Sequence, residues 1–281
     1  MITCNLMGGL GNQLFQIFTT ISYAIRMRQQ FKFSNIQSLG GGTTTVRKTY
    51  WDSFLLRLKI FTTNEFPKLH VIREKDYTFN ELSINEMINK NVLIFGYFQS
   101  YKYFQSNYEI ICRMIGLEGL KENLLKKINY EVDYFDNSVS MHFRIGDYKK
   151  VQDYHPILKS NYYKKCLEHI QSKKINKINK IIYFCEDDDL SDVNNIIEYL
   201  TSVFPLYKFI RGENKLEDWE QILLMSFCHD NIIANSSFSW WGAYFNDKKD
   251  KIVCYPSVWF GPAAKHNTID LYPFEWVKIA I

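Results

Sequence analysis

No pair among the six cysteines, at positions 4, 112, 166, 185, 228 and 254, forms a C-x-x-C motif or takes a metal-ligand spacing. That removes zinc ribbons and thioredoxin-like redox motifs from consideration. Several of these cysteines lie in apolar runs, where reduced, buried thiols are the ordinary expectation, so a reducing compartment is expected. Long hydrophobic runs are missing too. The longest apolar stretches, such as Val92–Phe98 and Ile222–Phe227, fall far short of the roughly 20 residues of a membrane span. No basic-then-apolar leader precedes the first motif, so a cytoplasmic protein is expected. Excess charge is lacking as well. A net charge of +4 gives no reason to expect a nucleic-acid partner, although an anionic small molecule suits it. The densest basic cluster, Lys173-Lys174-Ile175-Asn176-Lys177, reads as the solvated end of a helix. Repeats and low-complexity tracts are absent.

What is present suffices for two cores. The 281 residues, 46% apolar and 16% aromatic, suit two domains of roughly 100 to 150 residues each. The chain opens with an apolar run, Ile2–Leu6, followed by MGGLGNQLFQ at 7–16 and apolar residues at Leu14, Phe18, Ile21 and Ile25. That spacing places four large side chains on one helix face, so a strand, a glycine turn and a helix over about 12–30 are expected. Asn12 stands where an N-cap belongs, and a helix start favours an anion. The glycines fit neither the dinucleotide G-x-G-x-x-G nor a P-loop. A tight turn requiring positive φ explains them equally well.

Phe31-Lys32-Phe33 alternates like a strand, and Gly40–Thr45 reads as a loop over a site or a loose tip. Val92–Tyr108 holds a strand and a helix start. Glu118–Asn137 is charged and amphipathic, and the domain junction is placed at its end, giving domains 1–137 and 138–281. From Ser138, strands at 139–143, 181–185, 207–210, 232–234 and 252–255 alternate with helices near 160–172, 190–201, 217–228 and 238–245. This alternation predicts an α/β domain on a doubly wound parallel sheet. Ligands of such sheets bind beyond the carboxyl ends of the strands.

Three strand ends carry chemistry. After the first comes His142-Phe143-Arg144-Ile145-Gly146-Asp147. Arg144 offers a rigid fork suited to two diphosphate oxygens, which Asp147 can hold in place; a purely structural pair is the plainer alternative. After the second comes Glu186-Asp187-Asp188-Asp189. A D-x-D here suits a divalent metal, but acidic residues opening a helix need no ligand, and Glu186 or Asp187 could accept from a base or ribose. After a later strand comes Asn235-Ser236-Ser237-Phe238-Ser239-Trp240-Trp241, whose hydroxyls crowd a helix start that can grip phosphate.

Taken together, MGGLGNQLFQ, HFRIGDY and IIANSSFSWWGAYF closely resemble the alpha-1,2-fucosyltransferases of glycosyltransferase family eleven, over nearly the whole chain. The resemblance implies a GT-B-like arrangement, two Rossmann-like domains facing across a cleft. It implies inverting transfer of L-fucose from GDP-fucose to a sugar hydroxyl, without an essential metal or other cofactor. On that pattern Arg144 binds the donor diphosphate with His142 and Asp147 beside it. Ser236 to Trp240 cradle the nucleotide phosphates, and Gly9, Gly11, Asn12 and Gln13 face the cleft from the acceptor side. The final residues can pack back on the first domain. The expected partners are a nucleotide sugar and a carbohydrate acceptor. Where the family usually has H-x-R-R-x-D, this chain has Ile145, which opposite strand faces would turn away from Arg144's ligand. Where members often have Ser-Asp-Asp, it has Cys185-Glu186-Asp187. Asp147, Asp153 and His155 are the candidate bases. Tyr97, Tyr101, Tyr103 and Trp51 can stack on an acceptor sugar or serve as core. A different nucleotide-sugar donor, such as GDP-mannose or a rhamnose donor, and a non-catalytic carbohydrate-binding relative stand as alternatives.

Overall fold

The computed structural model describes residues 1–40, 45–174 and 178–281. Most of the glycine–threonine loop, at 41–44, and residues 175–177 of the basic cluster lie outside them. The chain divides into two compact units, Met1–Glu122 with His266–Pro273, and Asn123–Lys265 with Phe274–Ile281.

The first unit is built on β1 (Ile2–Cys4), α1 (Leu10–Met27), β2 (His70–Arg73), β3 (Val92–Phe95) and α2 (Tyr108–Ile115). The strands form a parallel sheet in the order β1-β3-β2. Leu14, Phe18 and Ile21 are fully buried along α1, as their spacing requires. Phe18 meets the Phe104 ring edge-on with centroids 5.4 Å apart, and each such large apolar side chain contributes about 1.5–3 kcal/mol by burial. The glycine turn is tight because Gly8 has φ +75°, and a Cβ there would lie 2.5 Å from Asn12 Nδ2. That turn lets α1 start at Leu10 with Gly9 as an uncapped, extended N-cap. Asn12, expected as the cap, therefore lies inside the helix.

The second unit alternates β4 (Ser138–His142), α4 (Ser160–Lys173), β5 (Lys180–Phe184), α5 (Leu190–Val203), β6 (Lys208–Arg211), α6 (Asp218–Phe227), β7 (Asp230–Ile232), α7 (Ser237–Tyr244), β8 (Val253–Pro256) and β9 (Val277–Ile279). All six strands are parallel, in the order β6-β5-β4-β7-β8-β9. Counted by appearance, this is the 3-2-1-4-5-6 order of the Rossmann sheet. β4 is buried at every position, as befits a central strand covered on both faces. The order reverses between β4 and β7, where Met141 pairs with Ile232. Their carboxyl ends are therefore where a crevice is expected.

The boundary falls at 122/123, within α3 (Leu117–Ile128), rather than at 137. Beyond it, Lys127 donates to the Glu220 carboxylate at 2.7 and 2.8 Å, and Phe135 packs on Phe227 at 5.5 Å, so this stretch belongs with α6. Residues 266–273, not the last ones, join the first unit. Asp270 holds them there: its carbonyl accepts from Ser100 Oγ at 2.6 Å and its carboxylate from the Phe79 N–H at 2.9 Å. The terminal residues instead supply β9. Among the described residues no helix is long and apolar enough to cross a membrane.

Candidate active site

The chain leaves β4 with alternating directions. Phe143 and Ile145 are 1% and 4% exposed in the core of the second unit, while Arg144 between them turns outward. Ile145 is thus a packing residue, as its strand face predicts.

Arg144 binds two carboxylates at once. One terminal nitrogen donates to Asp147 Oδ1 at 2.5 Å and the other to Glu186 Oε1. Burial opposes its charge, but Asp147 and Glu186 outweigh that and hold it firmly charged. The guanidinium also lies 5.2 Å from the Tyr148 ring centre, within cation–π reach. Both carboxylates are more than half exposed, so the fork is held ready at the surface rather than locked in the interior.

The acidic run after β5 points three ways. Glu186 pairs with Arg144 and Asp187 with Arg211 at the end of β6. Asp189 is buried, accepts the Gly146 N–H at 2.6 Å and faces Lys149 at 3.4 Å. Asp187 and Asp189 therefore do not converge, and no cluster of three potential metal ligands occurs among the described residues.

Tyr148, which the motif reading passed over, ties the site together. Its hydroxyl donates to the Asn235 carbonyl at 3.0 Å, bridging the ends of β4 and β7. Burial pushes its phenol up to about 12. His155 stacks on the same ring, with centroids 4.7 Å apart and planes 20° from parallel. Asp153 is exposed nearby in sequence, and its carbonyl accepts the Ala263 N–H at 3.0 Å. Only a signal from fold, the strand-end position, could have marked Tyr148.

His142 is buried, and its Nδ1 has no hydrogen-bond partner among the described residues. Burial, followed by the Arg144 charge, lowers its pKa to about 3. It is a neutral imidazole at physiological pH, placed 5.5 Å from the Phe238 ring at the start of α7.

The serine-rich start of α7 is mostly architecture. Ser236 caps the helix, accepting the Phe238 N–H at 3.4 Å. Ser239 Oγ accepts from Ala234 N at 3.2 Å and donates to the Ser236 carbonyl at 3.4 Å. The Asn235 amide donates to the carbonyls of Pro156 and Trp259 at 3.0 and 3.2 Å. Ser237 and Phe238 alone are half-buried there. Trp240, expected to touch the donor, is fully buried against Trp241, Tyr244 and Trp276, so it is core. In the first unit Gly11 and Gln13 are buried as well. Gln13 donates to the carbonyls of Gly8 and Lys48 at 3.0 and 2.9 Å, closing the glycine turn. Of that quartet, Gly9 and Asn12 retain surface, and Asn12 Oδ1 accepts from Gln99 at 2.8 Å.

A guanidinium fork and a capped helix start stand at the reversal of a Rossmann-order sheet, an arrangement chemically suited to a phosphate ester. The sequence model of the family described as Glycosyl transferase family 11 matches residues 1–280. The chain belongs to that family and is a glycosyltransferase. It is 27% identical over 99% of its length to an Escherichia coli alpha-1,2-colitosyltransferase, of which 99% is covered. It is 22% identical over 97% of its length to a Caenorhabditis elegans galactoside 2-alpha-L-fucosyltransferase, of which 74% is covered. Among solved structures, E. coli ADP-heptose LPS heptosyltransferase II aligns with 58% of this chain and 43% of its own, at TM-score 0.37 and 12% identity. That likeness is too slight to bear on function.

Proposed function

We propose that the chain transfers L-fucose from GDP-fucose to the 2-hydroxyl of an acceptor galactoside, with inversion at the sugar carbon and without an essential metal. The observation that carries this reading is Arg144, a two-pronged cation at the carboxyl end of β4, where the sheet order reverses. As the sugar–phosphate bond breaks, negative charge grows on the leaving diphosphate, and a preorganised fork stabilises it most at the transition state. The diphosphate takes the place of one of the two exposed carboxylates on that fork. Neutral His142 and the start of α7 line the same end of the sheet. Asp147, Asp153 and His155 remain the candidate bases.

Both quoted relatives are named for a 2-linkage, which supports the acceptor position. The colitosyl name of one favours a second reading, in which the donor sugar lacks a hydroxyl that fucose carries. A panel of GDP-fucose, GDP-colitose, GDP-mannose and dTDP-rhamnose, scored by nucleotide release and product linkage, separates them. Release from GDP-fucose with an α-1,2 product is expected. Turnover with dTDP-rhamnose alone, or with none, would overturn the proposal.

A further inference from the structure

The first unit holds a group of rings that no part of the donor site uses. Tyr77 packs near both Tyr97 and His266: its centroid is 6.3 Å from Tyr97, with planes 22° apart, and 4.2 Å from His266, with planes 37° apart. Tyr77 and Tyr97 are half-buried and His266 is exposed. Both tyrosines follow the carboxyl ends of parallel strands, β2 ending at Arg73 and β3 at Phe95. That is the edge of such a sheet where ligands gather.

Hydrogen bonds fix the backbone on which two of these rings stand. Glu74 accepts the N–H groups of Tyr97 and Phe98 at 2.7 and 2.9 Å, and burial raises its pKa. Phe98 sits at φ +51°, a left-handed conformation unfavourable for an aromatic residue. His266 reaches Tyr77 only because residues 266–273 join this unit, anchored at Asp270 by Ser100, Phe79 and Lys102. Glu74 thus fixes the segment that carries Tyr97, and Asp270 the segment that carries His266.

Stacked aromatic rings with polar rims suit a ligand that has one C–H face and a hydroxyl edge. A β-galactoside has such a face, because its axial 4-hydroxyl leaves the hydrogens on C3, C4 and C5 together on the opposite side. We infer that Tyr77, Tyr97 and His266 form the platform on which the acceptor galactoside stacks, with Glu74 as the positioning residue beneath it. The assignment rests on the transferase reading and names its acceptor subsite.

Saturation-transfer NMR with lactose and GDP-loaded protein tests it without turnover. The galactosyl H3, H4 and H5 signals are expected to saturate most strongly, and Tyr77→Leu or Tyr97→Leu to abolish this. In turnover, each leucine variant raises the acceptor KM about tenfold, the worth of one aromatic contact. Hydrolysis of GDP-fucose without acceptor stays unchanged, and Tyr77→Phe and Tyr97→Phe, which keep the ring, behave nearly as wild type. Absence of lactose saturation in the wild-type protein, or equal saturation in folded Tyr77→Leu and Tyr97→Leu, overturns the assignment. Failure of GDP-fucose hydrolysis instead would strike the donor reading and leave the lactose result standing.

Discussion

At the scale of single residues, Arg144 and His142 make opposite kinds of prediction. Arg144 is three-quarters or more covered, but its carboxylate partners are more than half exposed. Removing it strands no buried charge, and exposed pairs of this kind contribute at most about 1 kcal/mol. Arg144→Ala therefore folds, while the loss of a preorganised donor on the leaving group costs roughly 3–4 kcal/mol, two to three orders of magnitude in turnover. Arg144→Lys replaces the fork by a point charge and recovers little. Turnover and circular dichroism of both variants check this, and a folded alanine variant above about a tenth of wild-type rate would refute it. His142 acts on stability. Its folded pKa of about 3 lies below the ordinary 6.5, so the unfolded chain binds the extra proton between those values. Stability is then complete above about pH 6.5 and falls as pH drops towards 3, by about 2 kcal/mol from this residue at pH 5. Melting temperatures against pH should show a flatter acid limb in His142→Asn than in wild type.

At the scale of elements, the glycine turn separates two neighbours that look alike in sequence. Gly8 has φ +75° and a crowded Cβ position, whereas a Cβ on Gly9, at φ −75°, meets nothing within 4 Å. Gly8→Ala is expected to cost about 1–3 kcal/mol of stability, and Gly9→Ala less than about 1 kcal/mol. Denaturant midpoints of the two variants should differ accordingly; equal midpoints would remove the turn from the account. The same stretch shows what a sequence conceals. Period and alternation placed α1 and the strands and helices of the second unit up to β8 within a few residues, because local propensity and burial agree there, but gave no sign of β9. Asn12 was misplaced as a cap since the helix start depends on the Gly8 turn. Trp240 sits in α7, where Phe238, Trp240, Trp241 and Tyr244 spread around the helix, so no single apolar stripe distinguished core from ligand face. Glu186 meets Arg144 from 42 positions away, a pairing set by adjacent strand ends and invisible to spacing. Only the strand register, β4 beside β5, brings them together.

At the scale of the whole molecule, every group assigned to the donor lies between Asn123 and Lys265, in one unit. Its charges are engaged in ion pairs, three cations, Arg144, Arg211 and Lys149, facing five carboxylates, Asp147, Glu186, Asp187, Asp189 and Asp192. A divalent cation recruited by the acidic run would have to break the Asp187–Arg211 pair or pull Asp189 off the Gly146 N–H, leaving that donor unmet. A diphosphate would need neither change, since it would exchange with an exposed carboxylate on Arg144. Guanosine diphosphate should therefore bind in excess chelator. At about 100 times its dissociation constant it should stabilise the unit that holds it by about 2.7 kcal/mol, with uridine diphosphate giving little. Calorimetry of the full chain with each nucleotide, with and without EDTA, measures this, alongside turnover of GDP-fucose under the same conditions. Stabilisation and turnover that vanish with EDTA and return with manganese would mean that the acidic run rearranges around a metal and that Arg144 alone does not hold the leaving group.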